Sequence, residues 1–250
     1  MIVFRGLLTA LGFLTRIPVP PGSWAPGPSV AFFPAVGLLL GTVSAGAAWL
    51  LFDRFGLAPH PVWALALVGL QALLTGALHL DGLSDVVDGL GGGRGDRARA
   101  LEIMKDPRIG AFGVVALIFA VGAKILTMNE LLHLPGRLPL LLAYPVGARL
   151  GATVLVVFFP CARTTGLAAT FHQESRWFGV VAAALMTAGI LWWQQWTTAI
   201  PTAHALGASL ATGLYLAARL RGVTGDVHGA AIELGEIGFL LGATWGTLRS

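Results

Sequence analysis

Apolar runs recur along this chain from one end to the other, and that recurrence limits the fold more than any other feature. Stretches of about 20 mostly apolar residues, the length that crosses a bilayer as a helix, lie near Val30–Phe52, Pro61–Leu80, Gly110–Leu132, Leu138–Phe159, Trp177–Ile200, Ala203–Leu220 and Gly229–Trp245. Glu233 and Glu236 interrupt the last and make it the weakest. Only 11% of the 250 residues are charged and 56% are hydrophobic, where soluble domains carry about 25% charge. No polar stretch is long enough to fold apart from the rest. The expectation is an all-α polytopic membrane bundle of about seven spanning helices, forming one domain over residues 1–250.

Before the first run, Arg5 and Arg16 flank a short apolar segment. A secretory leader would be followed by a small-residue cleavage site, whereas Arg16-Ile17-Pro18-Val19-Pro20 follows here. The segment reads as an uncleaved interfacial helix. The single cysteine, Cys161, excludes an intrachain disulfide and any multi-cysteine metal site.

A basic balance, with a pI near 10.0, is common in nucleic-acid binders, but here the cations occupy short loops between apolar runs. Arg5, Arg16, Arg94, Arg97, Arg99, Lys105, Arg108, Arg163, Arg176, Arg219 and Arg221 fall on one side; Arg54, Arg137 and Arg249 fall on the other. Eleven against three puts the first set in the cytoplasm. The implied location is the bacterial inner membrane, multi-pass, with a site facing the cytoplasm. Nucleic acid is not an expected partner; the lipid bilayer is, and self-association stays open.

The acids sort the same way. Asp81, Asp85, Asp88, Asp96, Glu102, Asp106, Glu174 and Asp226 belong to the cation-rich side, with Glu233 and Glu236 just inside the last span, and only Asp53 and Glu130 lie elsewhere. His79-Leu80-Asp81-Gly82-Leu83-Ser84-Asp85-Val86-Val87-Asp88-Gly89 holds three of the twelve acidic residues. At about 100° per residue, Asp81, Asp85 and Asp88 share an arc of roughly 60° on a helix. Three carboxylates on one stripe suit a hard cation such as Mg²⁺, which binds few protein ligands and keeps room for water and phosphate. The plainer reading is a solvated helix start in which acids meet the positive end of the dipole. Location beside a membrane span favours the metal.

A second cluster, Gly225-Asp226-Val227-His228-Gly229 with Glu233 and Glu236, offers either a facing wall or a polar seam joining helices. Lys105 and Arg108 could neutralise phosphate oxygens or simply follow the topology rule. Arg149 lies mid-span and is expected to face a polar cavity, toward an anionic ligand. Lys124 is expected to snorkel. His79 could bond substrate or metal, though a lone histidine is usually structural; His172 says nothing by itself. There is no G-x-x-x-x-G-K-[ST] loop for ATP and no G-x-S-x-G elbow. Carboxylates with Arg and Lys at a membrane face suit displacement at phosphorus.

Taken together, Phe13-Leu14-Thr15-Arg16-Ile17-Pro18-Val19-Pro20, Phe33-Pro34-Ala35-Val36-Gly37, the His79–Gly89 motif, the block from Glu102 to Gly113 and Thr224-Gly225-Asp226-Val227-His228-Gly229-Ala230 resemble the cobalamin synthase family, the adenosylcobinamide-GDP ribazoletransferases. The resemblance implies a Mg²⁺-dependent membrane enzyme that joins adenosylcobinamide-GDP to α-ribazole or its 5′-phosphate and releases GMP. By position it implies Asp81, Asp85, Asp88 and Asp226 as metal ligands, with Asp81 or Asp85 as base. Lys105 and Arg108 would face the pyrophosphate. Arg163 lies in a stretch similar to the family's A-R-P-x-G-L, with Thr164 where proline is expected. Arg149, Glu233, Glu236 and His79 are further candidates for substrate contact. Two alternatives are a CDP-alcohol-type phosphotransferase, whose D-G-x-x-A-R hallmark fails at Asp85 and Val86, and a cation-coupled transporter, which needs its acids near the midplane.

Overall fold

The structure is a computed structural model that describes residues 2–163 and 165–245. Thr164 and Arg249, both used in the sequence reading, lie outside the described residues. Those residues form helices with no strand among them; the one β-type contact is an isolated bridge between Cys161 and Val223.

The first helix, α1 (Ile2–Leu14), has 13 residues, about 20 Å at 1.5 Å per residue, too short for a bilayer core. It buries Gly6, Thr9, Ala10 and Leu14, as an interfacial helix should. Three helices are long and apolar enough to cross: α2 (Pro26–Arg54), and, after two intervening elements and a further short helix, α6 (Ala111–His133) and α7 (Arg137–Phe158). All three match the sequence expectation to within a few residues. The count reaches five if two bent pairs are each one span.

The first bent pair is α3 (Pro61–Thr75) and α4 (Leu78–Gly93), which meet at 88°. One continuous span over Pro61–Leu80 was expected, and the chain instead turns sharply. Gly76 (φ 63°) and Ala77 (φ 56°) are both left-handed, which ends a helix as a C-cap does. Arg16 seals the break, its backbone N–H donating to Leu74 O at 2.7 Å while its side chain lies where a Gly76 Cβ would be. So α4 runs nearly perpendicular to α3 and carries the acidic stripe. It ends in the glycine run at Gly93, followed by left-handed Arg94. Then comes the short α5 (Arg97–Ile103), whose free N–H groups of Ala98 and Arg99 donate to Asp96 Oδ1.

The second bent pair is α8 (Leu167–Glu174) and α9 (Trp177–Trp193), at 92°. Helix α9 stops short of the expected Ile200, because Gln195 and Trp196 both take positive φ. Helices α10 (Ala199–Leu220) and α11 (Gly225–Thr244) complete the chain.

The weakest apolar run proves to be the central helix. α11 supplies Phe239 and Leu240 to one hydrophobic cluster, Ile232 to a second and Val227 and Ala230 to a third. A helix buried over most of its length has little need of a sharp amphipathic stripe. By contrast α6 is 28% buried over its apolar window and α7 78%. Phe112, Val115, Ile118, Phe119 and Leu126 of α6 point outward, an apolar surface that needs lipid to cover it.

Candidate active site

Helices α4 and α11 approach until their backbones touch. A Cβ on Gly82 would lie 2.8 Å from Asp226 O, and one on Gly229 would lie 3.1 Å from His79 O. Only glycine permits this approach, and it brings the acidic stripe against the start of α11. The N-cap Thr224 fixes that start by accepting from Val227 N–H at 3.2 Å.

The four acids of the proposed ligand set then separate by what they touch. Asp81 is exposed and Asp85 half-buried; among the described residues neither carboxylate has a protein hydrogen bond or ion pair. Burial, and then the like charges of Asp81, Asp226 and Asp88, push the Asp85 carboxyl up to about 6, with Arg163 pulling the other way. Asp226 Oδ2 accepts from Arg163 at 3.2 Å and from the Thr224 hydroxyl at 3.2 Å. Asp88 is different. Its Oδ2 accepts from Gly110 N–H at 2.7 Å and its Oδ1 from Gly113 N–H at 2.9 Å, so both oxygens cap the first turn of α6.

The expected four-carboxylate cage is therefore not assembled. Among the described residues no three His, Cys, Asp or Glu side chains converge as a metal site, and Asp88 is committed to a helix end. What converges is a pair of uncommitted acids, Asp81 and Asp85, beside the Arg163–Asp226 pair. Hard oxygen donors in ones and twos are what Mg²⁺ takes from protein when phosphate oxygens supply the rest.

The cations around this cleft are placed less uniformly than the sequence suggested. The loop of Lys105 and Arg108 borders the stripe through Gly110 and Asp88. Lys105 is exposed. Arg108 forks onto Asp106 instead, Nε to Oδ1 at 2.9 Å and NH2 to Oδ2 at 2.6 Å, and holds that carboxyl down at about 2.

Glu233, Glu236 and Arg149, expected to reach substrate, lie away from this cleft. Lys124 Nζ donates to Glu233 Oε2 at 2.6 Å and to Glu236 Oε2 at 2.5 Å. Arg149 NH1 donates to Glu236 Oε1 at 2.6 Å and to Pro145 O at 2.9 Å. All four residues are at most 5% exposed. Lys124 does not snorkel, and Arg149 does not face an open cavity. Together they join α6, α7 and α11 as a polar seam. His79 lies beside them, 3% exposed, with its Nε2 lacking a partner.

One pair escaped the sequence reading. His172 Nε2 and His228 Nε2 stand 3.1 Å apart with rings stacked. His172 Nδ1 reaches Phe159 O at 3.0 Å; with that carbonyl accepting, His172 Nε2 is left to accept from His228 Nε2–H. The pair ties α8 to α11 behind Asp226. Their separation of 56 positions carries no spacing signal that could have linked the two.

Comparison with known proteins decides the family. The cobalamin-5-phosphate synthase family model matches residues 6–244. The chain belongs to that family. It is 40% identical over 248 residues to an adenosylcobinamide-GDP ribazoletransferase of Alkalilimnicola ehrlichii, covering 95% of this chain and 94% of the relative. Ribazoletransferases of Desulfitobacterium hafniense (38% identical, 96% of each chain) and Escherichia coli (39%, 92% and 96%) match equally broadly. No solved structure matches. The resemblance read from the motifs is thus borne out, and the cobalamin-5-phosphate synthase family makes this chain a transferase of cobalamin biosynthesis.

Proposed function

We propose that the Asp81–Asp85 cleft joins adenosylcobinamide-GDP to α-ribazole or its 5′-phosphate, forming the lower-ligand phosphodiester and releasing GMP. The observation that carries the reading is the pair of uncommitted carboxylates, held at a backbone contact between α4 and α11 that Gly82 and Gly229 permit. The ribazole 3′-hydroxyl forms a bond to the cobinamide-linked phosphorus, and the bridging oxygen departs on GMP. Asp85 takes the hydroxyl proton; a carboxyl near 6 is matched to general-base work close to neutral pH. Asp81 and Asp226 are the residues that would hold Mg²⁺, which, when bound, offsets charge on pyrophosphate oxygens. Arg163, beside Asp226, orients that carboxylate. Lys105 meets the phosphates from the exposed loop, and Arg108 joins it only by leaving Asp106.

Seven crossings of the inner membrane, by α2, α3 with the Gly76–Ala77 turn that extends it, α6, α7, α9, α10 and α11, would put this cleft at the cytoplasmic face. The support is the distribution of cations, eleven against three. The lone cysteine checks this: Cys161 is free and partly exposed, so an impermeant maleimide should label it in inverted membrane vesicles and not in intact cells. The reaction is tested by GMP release from adenosylcobinamide-GDP and α-ribazole with Mg²⁺, using protein in lipid nanodiscs. A folded sample without turnover overturns it.

A further inference from the structure

The N-terminal motif Phe13–Pro20 has no part in the chemistry above, yet it walls a cavity of about 540 Å³, within the range of small-molecule sites. Phe13 and Trp24 form one side and both contact Phe171, at ring-centroid distances of 4.3 and 5.7 Å. Leu78 and Leu167 form the other. Leu78 opens the stripe that continues through Asp81 to Asp85, the latter about 10 Å further along the helix axis. Leu167 begins α8, which packs behind Asp226 through the two histidines. Through Leu78 and Leu167 the cavity therefore borders the two helices, α4 and α8, that flank the acidic cleft.

The polar groups of the lining decide what it accepts. The Thr9 hydroxyl donates to Ser23 O and accepts from Ala25 N–H. Thr15 donates to Leu11 O and accepts from Ile17 N–H. Ser23 donates to Pro20 O, and Thr75 to Gln71 O. Every hydroxyl donor is already committed to the backbone. A guanine edge, rich in donors and acceptors, would leave those groups unsatisfied at a cost of about 1–3 kcal/mol each. An apolar bicyclic base would not, and aromatic walls favour it further. One polar group is uncommitted: Arg16 is exposed, lines the cavity and has no ion pair among the described residues.

We propose that this cavity is the acceptor subsite: its aromatic walls take the benzimidazole-type base of the ribazole, and Arg16 takes the 5′-phosphate. The proposal rests on the transfer reaction above and names where its second substrate lies. Arg16 is a binding residue, and its position is fixed by the break at Gly76.

Steady-state kinetics in nanodiscs separates the two claims. Wild-type GMP release tests the reaction alone. If it proceeds, Arg16→Gln should raise the KM for α-ribazole 5′-phosphate about tenfold, the effect of one charge-assisted contact, and barely change that for α-ribazole. Leu167→Trp, which fills the cavity from an exposed position, should raise both acceptor KM values. Neither change should move the KM for adenosylcobinamide-GDP. Quenching of Trp24 fluorescence by α-ribazole 5′-phosphate, lost in Trp24→Leu, gives a readout without turnover. The proposal is overturned if the two variants shift the KM of adenosylcobinamide-GDP instead, or shift neither. It is also overturned if native mass spectrometry finds the cavity holding a phospholipid that α-ribazole 5′-phosphate does not displace.

Discussion

Two groups of acids sit along α4 and α11, and their fates are opposite. Glu233 and Glu236, in the middle of α11, meet Lys124 and Arg149 at 2.5–2.6 Å and are sealed from water. Asp81 and Asp85, one helix away, have no cation of their own and are open to solvent. The first group is charge neutralised by the protein itself, so it holds helices together. The second is charge left unneutralised, so it awaits something from outside. Carboxylates alone do not mark a site; carboxylates without a protein partner do.

The strongest test of this contrast is Asp85→Asn. Loss of a general base should lower kcat about 10²–10⁴-fold, while thermal stability holds or rises because a like charge has gone. Added Mg²⁺ should not rescue it. In wild-type protein kcat should rise with pH through about 6, since Asp85 must be ionised to accept the proton. The same raised carboxyl makes its stability contribution largest below the ordinary carboxylate range, and this is lost as pH climbs through 6. A profile without that limb removes Asp85 from the role.

Glu236→Gln should do the reverse. It leaves Arg149 buried with only Pro145 O, and breaking such a pair costs about 3–5 kcal/mol. Thermal unfolding in detergent should show the loss, with KM values of the surviving folded enzyme unchanged. If stability holds and substrate KM rises, the two groups are not distinct after all.

Asp88→Ala tests the carboxylate that moved from one group to the other. Losing two N–H acceptors at the start of α6 should cost about 1–3 kcal/mol, with no change in the Mg²⁺ concentration for half-maximal rate. A rise in that concentration would return Asp88 to the ligands. Asp81→Asn, in contrast, should raise it about tenfold. The smallest effect is expected from Arg108→Gln. Its ion pair with Asp106 is exposed and such pairs add little, so stability should not change measurably. Any fall in kcat then reports phosphate contact.

Much of the fold was legible in the chain. The runs at Val30–Phe52, Gly110–Leu132 and Leu138–Phe159 became α2, α6 and α7 because twenty apolar residues in lipid have few options other than a helix. The failed span at Pro61–Leu80 carried one visible signal, Gly76, but a glycine in an apolar run is also common in helix packing. The break is two left-handed residues, Gly76 and Ala77, and it is sealed by Arg16, 60 residues earlier.

By itself the sequence determined the helices, the cation-rich face, the acidic stripe and the family, since periodicity, composition and local motifs are properties of neighbouring residues. Tertiary structure alone decided which charges are free. Lys124 and Glu233 are 109 residues apart, Arg149 and Glu236 are 87, and Asp88 and Gly110 are 22. A charge is neutralised by what lies within a few ångströms, and only the packing of α4, α6, α7 and α11 sets that distance.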